Sequence, residues 1–256
     1  RDRDVTGVQT CALPISLVCY VTAGHPDRER SIALIRGIAA AGADVIELGV
    51  PFSDPVADGP VIQASSQRAL ELGMTLDGSL AIAAAAGVDV PLVLFSYLNP
   101  LLAAGPDVLT RAKAAGVSGL LVTDLPVGSD PRREAWLGGG PLAFVRLVAP
   151  TTPDARMAEI AHHGSGFVYL ISRLGVTGER ADVPADLPDT VARLRRVCTL
   201  PICVGFGVAT PDHAASVGAV ADGVVVGSAL VRAADRSIDE AVGLVRGMRE
   251  ALDRGT

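Results

Sequence analysis

Eight short apolar runs alternate with helical patterns along this chain of 256 residues, and this alternation constrains its fold more than any other feature. The runs are rich in β-branched residues, which is typical of buried strands. Strands that alternate with helices pair in parallel, because each crossover helix returns the chain over the sheet. The runs cover residues 17–22, 44–48, 92–96, 119–123, 143–148, 167–172, 201–205 and 223–226.

Helical patterns fall between these runs, and several begin at or near a proline, which suits the first turn of a helix. Eight strand–helix units in a chain of roughly 250 residues predict an α/β fold of the (β/α)8 TIM-barrel type, in a single domain. An open doubly wound sheet is the alternative that the pattern leaves. The clearest helical stretches are residues 28–41, 61–72, 106–115, 153–163, 188–198, 211–217 and 238–252.

Residues 1–16 do not follow this alternation. The segment mixes charges with a cysteine and a proline and has no clear period. We interpret it as an N-terminal segment that is not native to the protein, with a divergent native N-terminus as the alternative. Residues 17–256 are assigned to the barrel domain.

Charge and hydropathy exclude several kinds of partner. A net charge of −6 offers no basic surface for nucleic acid. No apolar run reaches the roughly 18 residues of a membrane span, and no signal-peptide pattern opens the chain, so we expect a cytoplasmic protein. The cysteines lack CxxC spacing, and we expect buried, reduced thiols. They are Cys11, Cys19, Cys198 and Cys203.

Acidic residues end the second run and follow it, and active sites of such barrels lie at the C-terminal ends of strands. Glu47 stands near the end of the apolar run, where desolvation raises a carboxyl pKa and suits proton transfer. A buried ion pair is the structural alternative for this residue. Asp54 and Asp58 lie in a loop rich in proline and glycine, where substrate contact and a simple turn role both remain open.

Later strands carry further candidate residues. Tyr169 lies inside the sixth run and is expected to point into the barrel, while the loop at 172–178 is either a closing lid or an ordinary flexible loop. Gly205-Phe206-Gly207 and Gly227-Ser228 follow the seventh and eighth runs, where barrels often bind phosphate through backbone N–H groups. Tight turns are the alternative there.

The scarcity of lysine restricts the chemistry. Lys113 is the only lysine, and it falls within a predicted helix, away from the strand ends where a Schiff base would form. The four histidines show no metal-ligand spacing. These patterns favour a carboxylate that transfers protons and predict no cofactor.

Several motifs together resemble the tryptophan synthase alpha subunit, in order and spacing, from about residue 17 to the C-terminus. The most specific segment is 47–60. The others are Tyr-Val-Thr-Ala-Gly at 20–24 and the segments 121–126, 169–178, 205–207 and 227–228. The resemblance implies a lyase that cleaves indole-3-glycerol phosphate to indole and glyceraldehyde 3-phosphate by retro-aldol chemistry.

The resemblance also implies residue roles. Glu47 would be the acid–base group, Asp58 would hold the indole N–H, and Tyr169 would line the pocket near the reacting side chain. Thr177 on the lid would contact Asp58. The apolar pocket would comprise Tyr20 against the indole, with Ile62, Phe95 and Leu121 as walls. Phosphate would be bound by Gly178, Gly205, Gly207, Gly227 and Ser228.

The implied partner is a PLP-dependent beta subunit in an alpha2beta2 heterotetramer, to which indole passes. Two departures bear on stability and on this partner: residues 1–16 do not resemble the family's first helix, and the alanine-rich helix before Pro91 looks short. Two alternatives remain at this stage. One is another phosphate-binding barrel isomerase or epimerase, and the other is a non-catalytic activator of the beta subunit.

Overall fold

The computed structural model describes residues 15–171, 184–205 and 207–254, and its eight strands form a closed parallel barrel. The strands are hydrogen-bonded in sequence order, and the last pairs with the first. This closure confirms the (β/α)8 barrel and excludes the open doubly wound sheet. The strands are β1 (Ser16–Thr22), β2 (Val45–Gly49), β3 (Leu92–Ser96), β4 (Val117–Val122), β5 (Ala143–Val148), β6 (Val168–Ile171), β7 (Ile202–Gly205) and β8 (Gly223–Val226).

The helices surround the barrel, and each predicted helical stretch corresponds to one of them within a few residues. The alanine-rich helix expected before Pro91 covers residues 76–86, and helices over 98–103, 131–138 and 228–236 join the predicted stretches. The described helices are α1 (Arg28–Ala40), α2 (Pro60–Glu71), α3 (Leu76–Ala86), α4 (Leu98–Ala103), α5 (Val108–Ala114), α6 (Pro131–Gly138), α7 (Asp154–His162), α8 (Leu187–Arg195), α9 (Pro211–Gly218), α10 (Ser228–Arg236) and α11 (Ile238–Arg254).

Local sequence explains where several helices begin. The Asp27 carboxylate accepts the Arg30 backbone N–H at the start of α1, and the hydroxyls of Thr75 and Thr210 accept equivalent bonds at α3 and α9. These caps satisfy backbone donors that have no partner within the helix. Proline occupies the first positions of α2, α6, α8 and α9, as the sequence pattern indicated for two of them.

Side-chain alternation along the strands separates the barrel interior from the layer under the helices. On β2, Ile46 and Leu48 belong to the large core between strands and helices. Val45 packs in a separate cluster inside the barrel, so Glu47 and Gly49, at the same period of two, also face the interior. The fold therefore places the Glu47 carboxyl inside the barrel.

The N-terminal ends of the strands are closed by polar contacts and by Ile15. The Asp44 carboxylate accepts the Leu17 backbone N–H at 2.7 Å and pairs with Arg249 at 3.0 Å. Ile15 is buried in the core, and β1 begins at Ser16, one residue before the predicted run. Residues 1–14 lie outside the described residues, and the non-native origin of the N-terminal segment stays a prediction.

Three cysteines are buried and unbridged, as expected for them: Cys19, Cys198 and Cys203. Cys11 falls outside the described part of the chain. Within that part, no single helix is long and apolar enough to cross a membrane. Only α2 and α3 taken together meet that test by length and composition, and they are bent by 96° relative to each other.

Candidate active site

Glu47 is the most unusual side chain of the barrel interior. It is fully buried, and neither carboxylate oxygen has a hydrogen-bond partner among the residues that the structure describes. Burial in apolar surroundings raises its pKa to about 8, because desolvation penalises the charged form. Among the described residues Glu47 therefore has no partner with which to form a buried ion pair, the structural alternative for this residue. A carboxyl group of this kind can exchange protons near neutral pH.

Asp58 is the second buried carboxyl group of the site, and Tyr97 holds it. The Tyr97 hydroxyl donates to Asp58 Oδ2 at 3.0 Å and accepts the Ala57 backbone N–H at 2.9 Å. Burial raises the pKa of Asp58 to about 6, and the bond from Tyr97 opposes this shift. Asp54 of the same loop is exposed and accepts a hydrogen bond from Ser53 at 2.6 Å. The structure thus separates Asp58, which is buried, from Asp54, which is exposed on the same loop.

Two tyrosines of the barrel interior each lie over a glycine of the next strand. A Cβ atom on Gly49 would overlap the Tyr20 hydroxyl, and a Cβ atom on Gly205 would overlap the Tyr169 hydroxyl. Both tyrosines are 7% exposed. Tyr169 points into the barrel, as predicted. The missing side chain of Gly205 makes room for Tyr169, a use that the predicted phosphate role did not include.

An apolar cluster forms where β1, α2 and α10 meet. Tyr20, Ile62 and Val231 pack together, and the Phe95 ring meets Tyr20 edge to face with centroids 5.3 Å apart. Leu121 is fully buried among the residues of the barrel interior and is the strand neighbour of Phe95. The structure therefore brings Tyr20, Ile62 and Phe95 into one cluster and places Leu121 beside it.

The glycine turns after β7 and β8 lie at the same end of the barrel. Gly207 has a φ of 92°, which favours glycine. Gly227 precedes α10 without a side-chain cap, and Ser228 is the first residue of that helix, so the first N–H groups of α10 have no capping side chain. Such a helix start is suited to an anion. Thr177, Gly178 and the predicted lid lie outside the described residues.

Sequence reasoning missed three residues of the site. Tyr97 follows β3 directly, and a tyrosine just after a strand end was a signal for it. Val231 is in the first turn of α10, a helix that the sequence pattern did not separate from β8. Gly49 ends β2, and only its contact with Tyr20 reveals why it is glycine.

Other chemistry-bearing groups are placed as follows. Lys113 is exposed on α5, as expected. Within residues 15–171, 184–205 and 207–254, no three His, Cys, Asp or Glu side chains gather in a group that could hold a metal ion.

The fold and the site define a class of (β/α)8 barrels that carry buried carboxylates at the C-terminal ends of the strands. Comparison with known proteins narrows this class: the sequence profile of the family described as tryptophan synthase alpha chain matches residues 14–253. The chain therefore belongs to the tryptophan synthase alpha chain family. This assignment confirms the resemblance and the classification as a lyase.

Individual relatives agree with this assignment. The chain is 49% identical to the tryptophan synthase alpha chain of Caulobacter vibrioides over 219 residues, which is 84% of this chain and 79% of that one. It is 45% identical to the alpha chain of Desulfatibacillum aliphaticivorans over 227 residues, covering 88% and 86% of the two chains.

Solved structures show the same likeness. A structure of Mycobacterium tuberculosis tryptophan synthase superposes with a TM-score of 0.86 at 35% identity, covering 93% of this chain and 92% of that one. Tryptophan synthase subunit alpha from Legionella pneumophila gives a TM-score of 0.82 at 34% identity, covering 94% and 93%. These matches do not favour a barrel isomerase or epimerase, nor a non-catalytic activator.

Proposed function

We propose that the chain cleaves indole-3-glycerol phosphate to indole and glyceraldehyde 3-phosphate, with Glu47 as the group that transfers protons. Membership of the alpha chain family supports the reaction. The observation that carries the role of Glu47 is its burial without a partner among the described residues, together with a pKa raised to about 8. A carboxyl group with this pKa can act as acid and as base at physiological pH.

The substrate supplies its own electron sink in this reaction. Protonation of the indole ring at C3 makes an iminium cation at the ring nitrogen. Removal of the proton from the adjacent glyceryl hydroxyl then forms the aldehyde, and the electrons of the broken C–C bond return to the ring and neutralise the nitrogen. Glu47 is the described group best suited to these proton transfers, since it can hold or release a proton within the barrel.

We assign to Asp58 the stabilisation of the positive charge that develops on the indole nitrogen. Its carboxyl group is buried, but the hydrogen bond from Tyr97 favours the ionised form and so opposes the rise of the Asp58 pKa. An anion beside the ring N–H stabilises the iminium more strongly than the neutral ring, which lowers the barrier rather than only the dissociation constant. Tyr20, Ile62, Phe95 and Leu121 would form the apolar walls around the ring, and Tyr169 would border the glyceryl carbon.

The phosphate group is assigned to the glycine turns after β7 and β8. The uncapped start of α10, at Gly227 and Ser228, offers backbone N–H groups to an anion, and Gly205 and Gly207 border the same end of the barrel. Thr177 and Gly178 belong to the same proposal by family resemblance and lie outside the described residues.

The proposed partner is a tryptophan synthase beta subunit, to which the chain would pass indole in an alpha2beta2 assembly. The Mycobacterium tuberculosis neighbour is itself a tryptophan synthase. Any PLP would belong to that partner, because Lys113 of this chain is exposed on α5, away from the strand ends. A cytoplasmic location stays a prediction.

An indole-release assay tests the proposal directly. Purified chain is mixed with indole-3-glycerol phosphate, alone and with a beta subunit, and indole and glyceraldehyde 3-phosphate are measured. The two products should appear in equal amounts, and the beta subunit should raise the rate. Activation of the beta subunit without cleavage under either condition would instead support a non-catalytic activator.

A further inference from the structure

A hydrogen-bonded pair joins the first strand–helix loop to the helix that follows the last strand. His25, just beyond β1, is 7% exposed, and its Nε2 lies 2.7 Å from Oδ1 of Asp235 in the last turn of α10. Because a carboxylate can only accept at this distance, Nε2–H is the donor. His25 Nδ1 is buried without a partner among the described residues. The link to Asp235 is therefore the hydrogen bond that fixes this imidazole within the described part of the chain.

The position of Asp235 on its helix is unfavourable without such a partner. A carboxylate in the last turn faces the negative end of the helix dipole, which destabilises the helix. An N–H donor from a buried imidazole offsets that repulsion and ties the end of α10 to the loop after β1. The Asp235 side chain is about half exposed, at 51%, so the bond needs the buried histidine to hold its geometry.

The same helix carries two parts of the proposed substrate site. Its uncapped start, at Gly227 and Ser228, is the proposed phosphate position, and Val231 packs against Tyr20 and Ile62 in the apolar cluster. Glu47 and Asp58 are on other elements. A shift of α10 would therefore disturb substrate binding while leaving the two carboxyl groups in place.

We propose that His25 and Asp235 are positioning residues that hold α10 at the orientation needed to bind the phosphate end of the substrate. This inference rests on the proposed function. It predicts a specific kinetic signature: loss of the pair raises KM and weakens phosphate binding, with little change in kcat, because the proton-transfer groups do not move.

Three variants and one control test this. Asp235→Ala removes the acceptor from a half-exposed helix position without a new cavity. His25→Asn places an amide near the Nδ1 position and loses the bond, whereas His25→Gln can place a donor near the Nε2 position and restore it. The control is Glu240→Gln on α11, which breaks the exposed ion pair between Glu240 and Arg236, the last residue of α10.

The readouts are KM and kcat for indole-3-glycerol phosphate, the dissociation constant of inorganic phosphate, and the urea unfolding midpoint. For Asp235→Ala and His25→Asn, we expect KM and the phosphate dissociation constant to rise about threefold to tenfold, with kcat within about twofold. His25→Gln and Glu240→Gln should stay close to the parent chain. A fourth variant that combines Asp235→Ala with His25→Asn should be no worse than either single variant, since both substitutions break the same bond.

The outcomes separate this inference from the proposed function. An unchanged KM and phosphate affinity in a folded Asp235→Ala protein would overturn the proposal that His25 and Asp235 position α10. Additive losses in the double variant would overturn it as well. If the parent chain binds phosphate but releases no indole, while Asp235→Ala and His25→Asn bind phosphate more weakly, the positioning role is supported and the proposed function is wrong. If the parent chain neither binds phosphate nor releases indole, both proposals are wrong.

Discussion

Two carboxyl groups close together in the chain are held in opposite ways: Asp44 just before β2, and Glu47, which lies at the middle of β2 and not at its end as the sequence pattern indicated. Asp44, just before the strand, accepts the Leu17 N–H and pairs with Arg249. Glu47, three residues later, has no partner among the described residues. Burial raises the pKa of both groups, but at Asp44 the N–H bond and the Arg249 charge oppose the shift, whereas at Glu47 nothing in the described residues does.

A second strand repeats the arrangement at the same end of the barrel. Asp222, just before β8, accepts the Ile202 backbone N–H at 2.9 Å and pairs with Arg195 at 3.0 Å. The N-terminal ends of the strands thus use carboxylates to join neighbouring strands. Glu47 within β2 and Asp58 in the loop after it have raised pKa values, which lowers the stability of the folded chain above their ordinary pKa values. Burial alone therefore does not make an acidic residue functional, because its hydrogen-bond and charge partners decide whether its pKa stays raised.

The largest expected effect is a loss of turnover when the unpartnered carboxyl group of Glu47 is replaced. Glu47→Gln should fold and bind substrate but lose about a hundredfold to ten-thousandfold in kcat, as expected for loss of an acid–base group. Indole release under saturating substrate measures this. Asp54→Asn, which changes an exposed carboxylate of the neighbouring loop, is the matched control and should retain activity. Near-normal indole release by Glu47→Gln would show that another group transfers the proton.

A pH dependence of stability sharpens the same contrast. The unfolded chain releases the Glu47 proton near the ordinary pKa of 4.5, whereas the folded chain keeps it until about 8. The folded state therefore binds more protons between these values, so its free energy of unfolding falls as pH rises through this window and levels off above it. The contribution of Glu47 to this slope is at most about 1.4 kcal/mol per pH unit.

Urea unfolding of the parent chain and of Glu47→Gln between pH 5 and pH 8.5 checks this prediction, since the free energy of unfolding falls linearly with urea concentration and can be extrapolated to water. The variant should gain stability relative to the parent chain as pH rises. A constant difference across the series would mean that Glu47 is already ionised in the folded protein at pH 5.

At Asp44, whose carboxylate has partners, the expected effect is smaller and is a loss of stability. Asp44→Ala leaves the Leu17 N–H and one side of Arg249 unpaired, and should lower the free energy of unfolding by about 1–3 kcal/mol with kcat unchanged. Asp253→Ala removes the exposed partner of Arg249 and should cost less than about 1 kcal/mol. If Asp44→Ala lost turnover without losing stability, the contrast between a structural Asp44 and a catalytic Glu47 would be wrong.

The smallest effect is expected at Tyr97. Tyr97→Phe removes the donor to Asp58 Oδ2, which raises the pKa of Asp58 further and should lower kcat/KM about tenfold. Ser53→Ala removes the exposed hydroxyl that bonds Asp54 in the same loop and serves as the control. Equal values of kcat/KM for Tyr97→Phe and the control would show that Asp58 does not depend on this bond.

The sequence predicted most of the fold because strand and helix patterns are local. The run at 92–96 coincides with β3, and the runs at 143–148 and 223–226 coincide with β5 and β8. The helix over 228–236 was missed because α10 begins at Ser228, with a single residue separating it from β8, so the pattern offered no break between strand and helix.

The candidate site was predictable only where chemistry and position coincide in one residue. Glu47 is an acidic residue in an apolar run, which is a strong local signal. The contact of Tyr97 with Asp58 joins residues 39 positions apart, and the pair of His25 and Asp235 joins residues 210 positions apart. The first contact depends on the pairing of β2 with β3, and the second depends on the pairing of β1 with β8, which closes the barrel. The position of Tyr97 after a strand end indicated a site residue, but a single sequence does not indicate which residue it contacts.

The packing of each interior tyrosine over a glycine has a consequence for engineering this barrel. A library that varies Gly49 or Gly205 one at a time will mostly sample proteins in which the new side chain collides with Tyr20 or Tyr169. Smaller residues at the tyrosine positions would open the space that a larger residue on the neighbouring strand needs. The unit of redesign is therefore the pair, and productive changes of substrate scope should require exchanges made across two strands at once.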